Sequence, residues 1–147
     1  MCFLMSRASP QMRRFAKRLI VCEANENKSA QTQPSNAFHF CEKLRPQLAT
    51  LMGSVGFRAF LSRSLALAST EVYWLRTLQV KPDGTLEGLD ELPAQLDLDQ
   101  FFEGRVVLLA QLLGSSVAFI GEDLTLRLVH EAWPKAPLND LNFAINP

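Results

Sequence analysis

The sequence predicts a compact, mainly α-helical single domain of five or six helices around one central hydrophobic helix. A small β-hairpin or ordered loop is expected near residues 78–89. Three observations predict this class. Apolar residues recur at three- and four-residue steps over most of the chain. One long stretch near the C-terminus is almost wholly apolar. The length of 147 residues suits one domain that buries enough surface to be stable without disulfides or metal.

Composition narrows the class of protein further. Hydrophobic residues make up 48% of the chain and charged residues 20%, which excludes a disordered polymer. The three cysteines are too few, and odd in number, for a disulfide framework, so they favour a reducing compartment. We therefore expect a cytoplasmic protein. An organelle transit peptide is the alternative for residues 1–22, which contain no acidic residue.

The domain boundaries follow from changes in composition. Residues 1–11 are predicted to be a flexible leader, and residues 12–133 form the folded domain. Within that domain, the polar residues 25–36 predict a linker. Residues 134–147 are expected to form an extended C-terminal tail.

The first helix is predicted over residues 12–23, and it is basic on one side. Its apolar face is formed by residues at helical spacing: Met12, Phe15, Leu19 and Cys22. Its basic face is a candidate contact for nucleic-acid phosphates or other anions, and it contains Arg13, Arg14, Lys17 and Arg18. A solvated surface is the alternative, because no aromatic residue is interleaved for stacking.

Charge is distributed unevenly between the two halves of the chain. Residues 1–80 carry a formal charge of +7 and residues 81–147 carry −7. Such asymmetry is typical of a basic surface for nucleic acid or membrane. Because the total is zero, the simpler interpretation is that the two halves pack together and neutralise each other.

A second helix is predicted to end near Met52, with Gly53 as its C-terminal stop. Ser35 or Asn36 can cap its start. Pro46 lies inside the pattern and lacks a backbone donor, so a bend or restart is expected there.

A third helix is predicted over residues 55–69, followed by a restarted turn at Thr70 and Glu71. A short helix or strand comes next. The period then changes from helical to alternating, and the sequence Pro-Asp-Gly at 82–84 marks a tight turn. Two strands are marginal alone, so this hairpin must lean on the helices.

The central helix is predicted to begin at a cap provided by Asp97 or Asp99. Sixteen uncharged residues separate Arg105 from Glu122. They would span ~24 Å against the ~30 Å of a bilayer core, so no membrane span is expected. On a helical wheel the polar and small residues form one narrow stripe: Gln100, Glu103, Gly104, Gln111, Gly114, Ser115, Ala118 and Glu122. The remaining surface is apolar, which predicts cover on several sides.

The apolar pattern shifts phase beyond Gly121. A break at Gly121 explains the shift, because glycine weakens helix interiors. In the alternative, a straight helix would carry an uncovered apolar face, which a second copy of the chain could cover. That candidate self-association face consists of Leu124, Leu128, Val129 and Trp133.

Catalytic signatures are absent from the sequence. There is no phosphate loop, Rossmann glycine pattern, HExxH or nucleophile elbow. The spacing of Cys22, His39, Cys41 and His130 does not match a closed zinc site. We expect no metal and no cofactor, and a Cys–His nucleophilic pair is only a minor alternative.

The function expected from these observations is a soluble, non-enzymatic helical interaction or regulatory module. Its partner would be another protein or a second copy of the chain, as a homodimer. One alternative is a nucleic-acid-associated protein that uses the basic N-terminal helix. Another is a small-ligand binder or enzyme with a pocket between helices.

Overall fold

The computed structural model describes residues 10–26, 38–88 and 97–134. These residues are mainly helical and include a small two-stranded antiparallel sheet, as predicted. The elements follow one another as α1 (Pro10–Glu26), α2 (His39–Glu71), a 3-10 helix (Tyr73–Thr77), β1 (Gln79–Val80), β2 (Leu86–Glu87), α3 (Leu98–Ile120) and α4 (Glu122–Ala132). Most of the predicted leader, linker and C-terminal tail lies outside the described residues, as do the proposed caps Ser35 and Asn36.

Helix α1 is longer than the sequence predicts at both ends. It begins at Pro10, where the missing N–H of proline would have no helical partner in any case. The predicted apolar face is confirmed, with Met12, Phe15 and Leu19 buried in the core and Cys22 partly buried against it. The helix is therefore held by its packing against the rest of the chain.

Helix α2 is interrupted at Gly53 and not at Pro46. Gly53 has φ 82° and ψ 163°, and it is the one residue inside α2 with non-helical backbone angles. The predicted interruption at Gly53 is confirmed, whereas the predicted restart at Pro46 is wrong. The helix continues through Pro46, whose carbonyl accepts a hydrogen bond from the Thr50 hydroxyl at 2.7 Å. Proline removes one hydrogen bond, but a positive φ at Gly53 interrupts the helical path itself.

The predicted hairpin is confirmed around the turn at 82–84. Its strands pair antiparallel with the register Gln79 to Glu87 and Val80 to Leu86. The Gly84 amide donates to the Lys81 carbonyl at 2.8 Å and closes the turn. Hydrogen bonds from the Thr85 hydroxyl and amide lower the pKa of the Asp83 carboxyl below its ordinary value. Arg45 of α2 donates to the Asp83 carbonyl at 3.2 Å, so the hairpin contacts a helix as predicted.

Helix α3 is covered on all sides over its central turns, whereas Leu98 near its start and Phe119 near its end are exposed. It begins with a capping box: the Asp97 carboxylate accepts from the Gln100 amide at 2.7 Å, and the Gln100 side chain accepts from the Asp97 amide at 3.2 Å. Every residue from 106 to 113 is buried, which is more than two full turns. The helix contacts α1, α2 and α4. The prediction of a covered hydrophobic helix is therefore confirmed.

The length of α3 does not exclude a membrane span. Its 23 residues are long and apolar enough to cross a bilayer by length and composition, unlike the shorter stretch counted in the sequence. At ~1.5 Å per residue they reach ~34 Å, against ~30 Å for a bilayer core. However, 61% of its most apolar window is buried inside the fold. Length and composition do not distinguish a membrane-spanning helix from the core helix of a soluble protein. The burial of this window inside the fold is what favours a core helix.

The predicted break at Gly121 is confirmed, so the straight-helix alternative is wrong. Gly121 has φ 92° and ψ 161° and separates α3 from α4. Its carbonyl accepts from the Thr125 amide at 3.2 Å, which starts the new helix. After the break, α4 packs against α2 and α3.

We expect Gly53→Ala and Gly121→Ala each to lower the free energy of unfolding by about 1–3 kcal/mol. An added Cβ would meet no atom within 4 Å at either position, so the effect comes from the backbone angles alone. Gly114→Ala is the matched control, because that site is equally open but helical. It should raise stability by up to about 1 kcal/mol. Urea unfolding measures all three, and bend variants as stable as the parent would contradict these backbone angles.

Candidate functional site

A cleft of about 350 Å³ lies where α2 ends, the 3-10 helix follows and α3 begins. Val72 creates the corner, because its extended backbone (φ −123°, ψ 105°) ends α2 and turns the chain. The residues that line the cleft are Glu71, Val72, Tyr73, Trp74, Gln100 and Glu103. We call this site the Trp74 cleft.

Glu71 is the buried acid of the Trp74 cleft. Its side chain is only 5% exposed, and its Oε1 forms an ion pair with the Arg13 guanidinium of α1. Its Oε2 accepts a hydrogen bond from the side-chain amide of Gln111 at 2.9 Å. A buried carboxylate needs such partners, because burial removes its hydration. Glu71 therefore joins α1, α2 and α3 at one point.

Trp74 forms a wall of the cleft whose position is fixed. Its indole N–H donates to the Gln100 carbonyl at 3.0 Å. Its ring stacks on Phe101 with centroids 5.6 Å apart and lies 6.4 Å from the Phe38 ring. The indole also sits directly on the α3 backbone, since a Cβ added at Gly104 would lie 2.2 Å from Trp74 Cζ2. The wall is thus held by a hydrogen bond, two rings and a glycine.

The rim of the cleft is exposed and combines an aromatic ring with an acid. Tyr73 is 73% exposed, and Glu103 is also exposed. The Arg76 guanidinium lies 4.5 Å from the centroid of the Tyr73 ring. Aromatic faces and carboxylates both attract cations. The arrangement is therefore chemically suited to holding a positively charged group.

The structure separates the four basic residues predicted as an anion contact. Arg13 is 38% exposed on its side chain and pairs with the buried Glu71. Arg14, Lys17 and Arg18 are exposed on α1. The Arg13 guanidinium is therefore paired with a buried acid, and nucleic-acid binding by the four residues stays a prediction.

The candidate self-association face is largely covered by the chain itself. Leu128, Val129 and Trp133 are buried, and Leu124 is partly buried. The Lys43 ammonium lies 5.3 Å from the centroid of the Trp133 ring. Of the four side chains, only Leu124 is partly exposed to a second copy, and self-association stays a prediction.

Metal ligands do not gather in the part of the chain that the structure describes. Among those residues, no three His, Cys, Asp or Glu side chains lie close enough to hold an ion. Cys41 is buried and Cys22 is partly buried, which suits structural cysteines. His39 and His130 are exposed at the first residue of α2 and in the last turn of α4.

The sequence pattern located the α3 side of the Trp74 cleft but did not reveal the cleft itself. Gln100 and Glu103 line the cleft, Gly104 seats the indole, and Gln111 binds Glu71. All four belong to the polar and small stripe that the helical wheel shows on α3. Their partners lie 26 and 40 residues earlier in the chain, so periodicity could not reveal them.

No protein-family model, curated protein or solved structure matches this chain.

Proposed function

We propose that the chain is a soluble, non-enzymatic helical interaction module that holds a ligand group in the Trp74 cleft. One observation carries the proposal: a fixed indole wall, a buried carboxylate and a largely exposed tyrosine converge on one concave site. Binding sites typically combine apolar or aromatic walls with a few well-placed polar groups. An exposed aromatic ring at the rim adds contact area with little loss of conformational entropy.

Binding is favoured over catalysis by how the polar atoms of the cleft are used. Both carboxylate oxygens of Glu71 have partners, and the Trp74 N–H is donated to a backbone carbonyl. Among the described residues that line the cleft there is no serine, cysteine or histidine, and the Tyr73 and Glu103 side chains lie at its exposed rim. Acid–base or nucleophilic chemistry needs a group poised to exchange a proton with substrate. The lining instead offers shape, aromatic surface and negative charge.

The same proposal includes the finer architecture and location. We propose a bundle around α3 whose helical segments, among the described residues, number six when the two arms of α2 on either side of Gly53 are counted separately and the 3-10 helix is included. We place this module in the cytoplasm, in keeping with its few cysteines. A homodimer would need a route to Leu128 and its neighbours on α4.

A fragment screen read by nuclear magnetic resonance tests the proposal. The chain has two tryptophans, so the indole N–H signals of Trp74 and Trp133 are separate reporters. We expect fragments from a library of mixed charge to shift the Trp74 signal and the Tyr73 and Glu103 amides. The signal of buried Trp133 should stay in place. Fragments that bind elsewhere, or no binding at all, would contradict a ligand role for the cleft.

A further inference from the structure

We infer that the group held in the Trp74 cleft is a guanidinium, an inference that rests on the binding role proposed above. The geometry brings together a carboxylate at the rim, a second carboxylate inside and two aromatic rings. Carboxylates and aromatic faces attract cations. Among the described residues that line the cleft none carries a positive charge, while Arg13 pairs with Glu71 and Arg76 lies against Tyr73 from outside the lining.

The two carboxylates have different roles in this inference. Glu71 is already neutralised in large part by Arg13, so its charge contributes little to an incoming ligand. Glu103 is exposed on the first turns of α3 and can meet a ligand directly. The charge contact of the ligand is therefore assigned to Glu103.

The aromatic rings at this end of the molecule already carry guanidinium groups of the chain itself. Arg76 lies 4.5 Å from the Tyr73 centroid, and Arg105 lies 5.9 Å from the centroid of Phe101, on which Trp74 stacks. Tyr73 is 73% exposed, so we place the planar cation of the ligand on the ring face opposite Arg76.

Planarity distinguishes a guanidinium from an ammonium ion at such a site. A guanidinium stacks flat on an aromatic face and presents N–H groups in a fork that matches a carboxylate. Tyr73 supplies the face and Glu103 the carboxylate. An ammonium ion is a strongly hydrated point charge and would use the ring less well.

Three probes separate charge from shape. Blocked arginine (the N-acetyl, N-methylamide derivative) offers the side chain as a protein partner would, and methylguanidinium offers the group alone. Blocked citrulline has the shape of blocked arginine without its charge. We expect saturable shifts of the Trp74 indole signal with both cations and no saturation with citrulline over the same range. Tighter binding of blocked arginine than of methylguanidinium would identify a protein side chain as the source, and equal binding a free small molecule.

Exposed variants test the residues without threatening the fold. Glu103→Gln should weaken binding of blocked arginine about fivefold, the effect of an exposed ion pair. Tyr73→Leu should weaken it about two- to fivefold through loss of the ring face. Asp99→Asn is the matched control, since it removes an exposed acid of the same helix that does not line the cleft, and it should leave the affinity unchanged.

Two results would overturn the inference. Citrulline that binds as tightly as arginine would show that the cleft does not select charge, although the proposed binding role would stand. An arginine affinity that is insensitive to both Glu103→Gln and Tyr73→Leu would place the cation elsewhere. Failure of the binding role itself appears differently, as a Trp74 signal that no fragment of any charge moves.

Discussion

Replacing Gly104 with alanine is expected to lower the free energy of unfolding by about 3 kcal/mol, although alanine is the better helix former. The added Cβ would lie 2.2 Å from Trp74 Cζ2 and 2.8 Å from Trp74 Cε2. A flexible side chain could move aside, but the indole is held by Phe101 and by its hydrogen bond to Gln100. Steric overlap of this kind exceeds the gain in helix propensity of up to about 1 kcal/mol.

Urea unfolding of Gly104→Ala and Gly114→Ala separates the two effects. Both glycines lie in α3, and an added Cβ at Gly114 meets nothing within 4 Å. We expect opposite signs, with Gly114→Ala slightly stabilising. In a Trp74→Leu background the destabilisation caused by Gly104→Ala should largely disappear, because the indole ring that clashes with the added Cβ is absent. Equal effects of the two alanines would mean that the indole does not rest on Gly104.

Gly104→Ala should also move the wall of the Trp74 cleft, so its effect on ligand binding should exceed that of any rim variant. This links stability to the site: the glycine that admits the indole also shapes the cleft.

The sequence predicted those elements whose determinants are close together in the chain. The buried face of α1 follows from Phe15 and Leu19 at helical spacing, and the start of α3 follows from the Asp97 cap. The breaks at Gly53 and Gly121 depend on one residue each, because both have a positive φ with an extended ψ that side chains avoid.

Features that depend on distant partners could not be predicted in the same way. The sequence predicts Glu71 as an acid at the start of a turn. In the structure its side chain instead binds Arg13, 58 residues earlier, and Gln111, 40 residues later. Proline favours a helix break, but α2 keeps helical backbone angles at Pro46, between the buried residues Leu44 and Leu48. The sequence therefore located the polar stripe on α3 and missed the cleft that the stripe helps to form.

Removing the charge of Arg13 is the second change with a large expected effect. Arg13→Met keeps an apolar stem but takes away a charge partner of Glu71, a carboxylate that is only 5% exposed. Loss of one member of a buried ion pair typically destabilises by about 3–5 kcal/mol. The Arg13 side chain is itself 38% exposed, so water already screens part of the ion pair. We therefore expect Arg13→Met to lower the free energy of unfolding by about 2–3 kcal/mol.

Neutralising the buried acid should be less harmful than removing its more exposed partner. Glu71→Gln keeps the shape of the side chain, and the Arg13 guanidinium that loses its partner can reach water. We therefore expect the free energy of unfolding to fall by about 1–2 kcal/mol. The double variant should therefore be more stable than the sum of the single effects predicts, with a coupling of about 1–2 kcal/mol.

Arg14→Met is the matched control for the Arg13 variant, because Arg14 is the next residue of the same helix and is exposed. Its effect should stay within about 0.5 kcal/mol. Urea unfolding of Arg13→Met, Glu71→Gln, the double variant and Arg14→Met measures how much more the loss of Arg13 destabilises the fold than the loss of the Glu71 charge. If Arg13→Met were as mild as Arg14→Met, the ion pair would not hold α1 to the core, and the buried acid of the Trp74 cleft would be stabilised by its other partners alone. The expected order follows from solvation: the penalty is greater when the group left behind is the one that cannot reach water.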